Sequence, residues 1–156
     1  MTTTEHAYDL TRHPDALAVV RLGRGAKVPS WASASTLFSV TATNDETSVV
    51  CHASTVPAKA RKQGPFVAFE VTGPLDFKLT GVLHALLTPL AEAEISVFTL
   101  STFDTDWILV HAAKADAAEQ ALGAAGDQQH LAGKLRRQRS DLAARLVEAI
   151  ELVAGP

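Results

Sequence analysis

Residues 74–110 read PLDFKLTGVLHALLTPLAEAEISVFTLSTFDTDWILV, and the polar residues of this stretch collect at two turns between apolar elements. Leu79, Val82, Leu83, Leu86, Leu87 and Leu90 recur at helical spacing and mark one face of a helix. Pro89 removes a backbone donor inside that pattern and predicts a kink near the helix end. Residues 95–100 and 107–110 are β-branched and aromatic runs of strand length, and residues 66–72, just upstream, have the same character. The order is therefore strand, turn, helix, strand, turn, strand.

The first turn, residues 73–78, places Asp76 near a helix start, where unpaired N–H groups and the positive end of the helix dipole favour an anion. The second, residues 101–106, gathers hydroxyls and carboxylates at its tip. If the strands share a sheet, the two turns can lie side by side and offer N–H donors to a carboxylate and carboxylates to an ammonium. A free amino acid carries both groups. The same residues also fit a purely structural reading, in which Asp76 caps the helix and Asp104 and Asp106 shape a polar hairpin.

Several short motifs in this stretch occur in a recognisable order: Pro74, Leu75, Phe77 and Gly81; residues 89–93 at the helix end; residues 95–98 in the strand; and Ser101, Thr102, Phe103 and Asp106 in the turn. In this the chain resembles the ACT domain, specifically the tandem-ACT proteins related to the CASTOR arginine sensors. Residues 30–32, 37–43 and 47–51 are similar to the first half of that family, so the likeness runs from about Leu17 to about Leu122. It implies an amino acid bound between ACT units, in a cleft between the helix-start loop of one and the second strand of another. One subunit then supplies Asp76, Phe77, Leu79, Thr80 and Gly81 with Thr102, Phe103 and Asp106, and the neighbouring unit supplies backbone near Ser96 and Val97. The N–H groups around Thr80 and Gly81 meet the ligand carboxylate, Asp106 meets the ammonium and Phe103 lines the side-chain pocket. The resemblance also implies an acidic loop residue for arginine, and Leu79 points instead to a neutral or apolar amino acid.

The rest of the chain fits two such units. A strand at 17–22, a glycine-broken loop at 23–29, a short helical turn near Trp31 and strands at 37–43 and 47–52 joined by Asn44-Asp45-Glu46 precede a polar, helix-compatible stretch at 56–63. Gly64-Pro65 reads as a breaker before the strand at 66. The expected architecture is α+β, two ferredoxin-like βαββαβ (ACT) units sharing the strand at 66–72, with a C-terminal helical extension. Residues 1–15 read as a polar leader, 16–65 as a degenerate first unit, 66–125 as the second and 127–154 as the extension. A helix near 114–122 ends the second unit without a closing strand, and an N-terminal strand is expected to fill that edge.

Composition excludes several classes. The 156 residues are 47% hydrophobic and 20% charged, with a formal net charge of −3. A chain of this balance is neither disordered nor a nucleic-acid binder by bulk charge. No apolar run reaches membrane-spanning length, and the polar N-terminus lacks a signal-peptide pattern. A single cysteine, Cys51, forms no internal disulfide, and a reducing cytoplasm is the simplest compartment. Cys51 and adjacent His52 point to opposite faces of a strand, which does not suit a thiolate–imidazole pair. The six histidines show no metal-ligand spacing, Gly23 to Lys27 lacks the spacing of a phosphate loop, and no nucleophile elbow is present. Neither metal nor cofactor is expected, and the chain reads as a sensor rather than an enzyme.

Beyond Gly126, Leu131, Leu135, Leu142, Leu146, Ile150 and Val153 form a helical stripe interrupted by Arg139. Lys134, Arg136, Arg137, Arg139 and Arg145 cluster there without interleaved aromatics, as on a solvated helix face. The cleft's need for a second unit predicts a homodimer. The rival reading is an ACT-like sheet that only dimerises, with the C-terminal helix as its contact element.

Overall fold

Alternating and β-branched runs give the strands, and hydrogen bonding assembles them into one sheet. In the computed structural model, which describes residues 8–73, 75 and 80–124, seven strands pair antiparallel: β1 (Leu10–Arg12), β2 (Leu17–Leu22), β3 (Ser39–Ala42), β4 (Thr47–His52), β5 (Lys62–Val71), β6 (Val97–Ser101) and β7 (Asp106–His111). The path runs β3-β4-β2-β5-β7-β6, with β1 paired to β5 as well. β1 and β2 lie end to end along one edge of β5: Leu10 to Arg12 pair with Val71 to Phe69, and Leu17 pairs with Phe66. The other edge of β5 carries β7.

The helices cover one side. Val82, Leu86 and Leu90 of α1 (Val82–Glu92), with Ala115, Ala118 and Leu122 of α2 (residues 115–124), bury Val67, Phe69, Val71, Ile108 and Val110. On the opposite face Leu17, Leu37, Val50, Ala68, Trp107 and Leu109 form a second cluster. In the β2–β4 half, Ala18, Val20, Val49 and Cys51 pack under Val56, Trp31 and Ala32 instead of a helix.

Four local features differ from the sequence reading. β1 falls inside the segment read as a polar leader, and it lies on the β5 edge where an N-terminal strand was expected. Gly64-Pro65 lies within β5 rather than ending a loop before it. The β2–β5 register shifts between Leu17 and Val19, and such an irregularity is where a residue without an N–H is tolerated in a sheet. Residues 53–55 form a 3₁₀ turn, and the stretch from Val56 reaches β5 at Lys62 without an α-helix. The helix itself begins at Val82 rather than Leu79, behind a left-handed Gly81 (φ 82°).

The end of α1 aims β6. Glu94 is left-handed (φ 55°), its N–H donates to the Ala91 carbonyl at 3.0 Å and Ile95 N–H donates to the Leu90 carbonyl at 2.9 Å. This is a Schellman cap, and its usual apolar contact is present because Leu90 and Ile95 share the core. The C-terminal extension, with its stripe from Leu131 to Val153, lies outside the described residues, as do residues 1–7.

Candidate ligand site

The two turns that concentrate polar residues in the sequence meet in the structure. Leu75 N–H donates to the Asp104 carbonyl at 2.8 Å. The Thr105 hydroxyl, in a residue only 9% exposed, donates to the Val71 carbonyl at the end of β5. A Cβ on Gly73 would lie 2.8 Å from the Asp104 carbonyl oxygen, so this approach requires glycine. Within the second turn, Thr102 N–H donates to the Thr105 carbonyl at 2.8 Å, and the Ser101 hydroxyl donates to the Asp106 carboxylate.

Strand alternation gives the direction of these groups. Ile108 and Val110 face α1, so Asp106, two residues before Ile108, and its partner Ser101 lie on the helix side of the sheet. α1 starts at this same end, because β5 ends beside the second turn. Gly81 gives α1 no side-chain cap, so the first-turn N–H groups have no partner within the helix. Thr80 and Gly81 are exposed there.

The other expected site residues divide into two groups. Asp76, Phe77 and Leu79 lie outside the described residues. Phe103, at the tip of the second turn, is 80% exposed, and Thr102 is exposed beside it. Ser96, just before β6, and Val97, its first residue, are exposed; they lie five and four residues from Ser101, which at strand rise is about 13–17 Å from the turn. Within one chain they do not join it. Among the described residues β6 ends the strand path without a further partner, with β3 at the other end.

A cluster on the opposite face escaped the sequence reading. His13 Nε2 lies 2.8 Å from Glu70 Oε2, and its ring stacks on Trp107 at 5.2 Å between centroids. Among the described residues the buried Trp107 indole N–H has no hydrogen-bond partner. His13 and Trp107 are far apart in sequence, and only β1 beside β5 brings them together. A separate cleft of about 250 Å³ lies between β1 and α2, lined by Tyr8, Leu10, Arg12, Phe69, Glu119 and Leu122 among others. None of the expected site residues lines it.

Packing perturbs several ionisable groups, among them Asp15 and Cys51. Hydrogen bonds from the Ser35 and Thr36 hydroxyls, at 2.7 Å each, and from Thr36 N–H hold the Asp15 carboxyl below its ordinary range and tie the loop before β3 to β2. Burial pushes the Cys51 thiol up, as for a core residue. No group of three or more metal-ligating side chains occurs among the described residues, and no helix among them is long and apolar enough to cross a membrane.

An antiparallel sheet with helices on one side, and two turns joined at one end of it, is the framework of an ACT domain. The ACT domain model matches residues 62–124, and a model of an N-terminal domain matches residues 15–59. The chain is similar to protein Atu0741 from Agobacterium tumefaciens, with 31% identity over 76% of this chain and 89% of that one and a TM-score of 0.70. It therefore belongs to the same family as that protein, and its residues 62–124 are an ACT domain. The fold is shared with the regulatory subunit of aspartate kinase from Thermus flavus, at 9% identity over 74% of this chain and 95% of that one with a TM-score of 0.55. It is also shared with aspartate kinase from Clostridium acetobutylicum, at 10% identity over 76% of this chain and 34% of that one with a TM-score of 0.57. No curated protein shows significant similarity to the chain.

Proposed function

We propose that this ACT-domain protein is a regulatory sensor rather than an enzyme, and that it binds a free neutral or apolar amino acid between ACT units. The observation that carries the reading is the junction of the two turns, Leu75 N–H on the Asp104 carbonyl at 2.8 Å. It sets helix-start donors and the Asp106 carboxylate at one end of the sheet. In this reading N–H groups around Thr80 and Gly81 hold the ligand carboxylate, and Asp106 exchanges its Ser101 contact for the ligand ammonium. Phe103, 80% exposed in the single chain, is covered by ligand and partner.

The chain is read as two ACT-like units sharing β5, related to the tandem-ACT sensors, with the junction near residue 65 and the first unit degenerate, its strands lacking the α-helices of the βαββαβ pattern. The site is completed by a second copy. Ser96 and Val97 are too far along β6 to reach their own turn, and the free β6 edge with Val97 and Phe98 exposed suits pairing with the same edge of a partner. Such a homodimer carries two equivalent sites, and a role in the cytoplasm fits the chain's composition.

A thermal-shift screen of the twenty amino acids tests this. A ligand with a dissociation constant near 1 mM, supplied at about 10 mM, stabilises the folded state by about 1.4 kcal/mol. For a chain of this size that raises the melting temperature by about 3–5 °C, and the D-enantiomer is expected to give no shift. If no amino acid shifts the melting temperature, the sheet serves association alone.

A further inference from the structure

We infer that each chain has one ligand-competent pair of turns, in its second half, and that its first half repeats the same strand framework with the turns left apart. This rests on the amino-acid reading and specifies where, and how many times, the site occurs.

The repeat is written in the strand register. Ser39 opposite Val50 and Ala42 opposite Thr47 recur as Phe98 opposite Leu109 and Ser101 opposite Asp106. Ala18 opposite Cys51 and Val20 opposite Val49 recur as Val67 opposite Val110 and Phe69 opposite Ile108. Leu17 and Phe66, which hold equivalent places against His52 and His111, pair with each other. A local two-fold axis normal to the sheet therefore passes through that pair. The turns repeat as well: Thr43 N–H donates to the Glu46 carbonyl at 2.8 Å, as Thr102 does to Thr105. His52 Nδ1 accepts from Ser54 N–H at 3.2 Å, and His111 Nδ1 accepts from Ala113 N–H at 3.3 Å.

Against this common frame the two ends differ. In the second half the Thr105 hydroxyl reaches back to β5; Glu46 holds that place in the first half, and its carboxylate pairs with Arg21 at 2.6 Å instead. Gly73 lies against Asp104, whereas its equivalent is Arg24, and a Cβ on either neighbouring glycine, Gly23 or Gly25, would meet nothing within 4 Å. Residues 23–38, all described, contain no helix, so the helix-start donors of α1 have no counterpart. The first half keeps the sheet that supports β5 and a hairpin turn tied to β2, and lacks the close turn-to-turn approach and the helix start that build the site.

Isothermal titration calorimetry on the full-length chain tests this, using L-leucine or whichever amino acid gives the largest thermal shift. The expected stoichiometry is one ligand per chain. Gly73→Val, which drives a side chain into the Asp104 carbonyl, is expected to weaken binding by about tenfold or more, equivalent to about 1.4 kcal/mol. Arg24→Val, at the equivalent place, is expected to leave affinity within about twofold. Two ligands per chain, or equal losses in the two variants, overturns the inference and leaves sensing intact. If Gly73→Val does not fold, the stoichiometry and Arg24→Val decide it. Absence of binding by every amino acid overturns the sensor reading and takes this inference with it.

Discussion

Thr105→Val tests whether the second turn is tethered to the sheet. The substitution keeps the side-chain shape, so no cavity opens, and it removes one buried hydroxyl that donates to the Val71 carbonyl. The bond joins residues 34 apart in sequence, so no local structure replaces it. Loss of a typical hydrogen bond costs about 0.5–1.5 kcal/mol, and leaving the Val71 carbonyl without that donor in a buried place brings the total to about 1–2 kcal/mol. With about 2–4 °C per kcal/mol for a chain of this length, the melting temperature of the unliganded protein is expected to fall by about 2–8 °C. Calorimetry on wild type and variant gives the shift, and amide exchange gives its origin: Leu75 N–H, bonded to Asp104, should lose protection while Ile108 and Val110 keep theirs. An unchanged melting temperature with Leu75 still protected would refute the argument that the hydroxyl joins the turns.

Asp106→Ala removes only an exposed contact to Ser101 in the free chain, so the apo melting temperature is expected to stay within about 1–2 °C, while ligand affinity falls about tenfold to a hundredfold through loss of a charge-assisted bond of about 1.5–3 kcal/mol; an apo protein that unfolds would show Asp106 to be a fold residue. Val97→Lys, at an exposed edge position, is expected to change single-chain stability by no more than about 0.5 kcal/mol yet abolish the dimer in light scattering, and a monomeric wild type that still binds would place the whole site in one chain. Glu94→Gly relieves a left-handed non-glycine residue in the Schellman cap, so denaturant midpoints are expected to show a gain of about 0.5–1 kcal/mol, whereas a loss would mean that the Glu94 side chain does more than occupy the cap. For Cys51, burial raises the folded pKa, so the folded state holds the thiol proton more tightly than the unfolded chain does. Stability from this group is full below the unfolded pKa of about 8.5 and declines as pH rises above it. The urea midpoint should therefore fall more between pH 7 and pH 9.5 in wild type than in Cys51→Ala, and equal falls would show the thiol to be accessible.

The elements with a strong local pattern were legible in the sequence. The stripe Val82, Leu86, Leu90 is the face that α1 buries, and the β-branched and aromatic runs are β5, β6 and β7 to within a few residues, because periodicity and propensity are properties of neighbours along the chain. Polar clustering likewise marked residues 101–106 as a turn. Motif order, rather than periodicity, pointed to the ACT domain. Where a local signal competed with a distant partner, the partner prevailed: Gly64-Pro65 carries breaker chemistry, yet β2, paired at Gln63 and at Phe66, holds it within β5, and Leu10 to Arg12 look like a polar leader until the β5 edge makes them a strand. The contact between Gly73 and Asp104, the Thr105 bond to Val71, the His13–Glu70–Trp107 cluster and the residue-by-residue register that relates the two expected units were invisible. The register that relates β4 to β7 survives although Thr47–His52 and Asp106–His111 share only their final histidine. Register is set by backbone hydrogen bonds that almost any side chain permits, so the sequence by itself determined which segments are strands, helix and polar turns, and tertiary structure decided which strands pair and which turns touch.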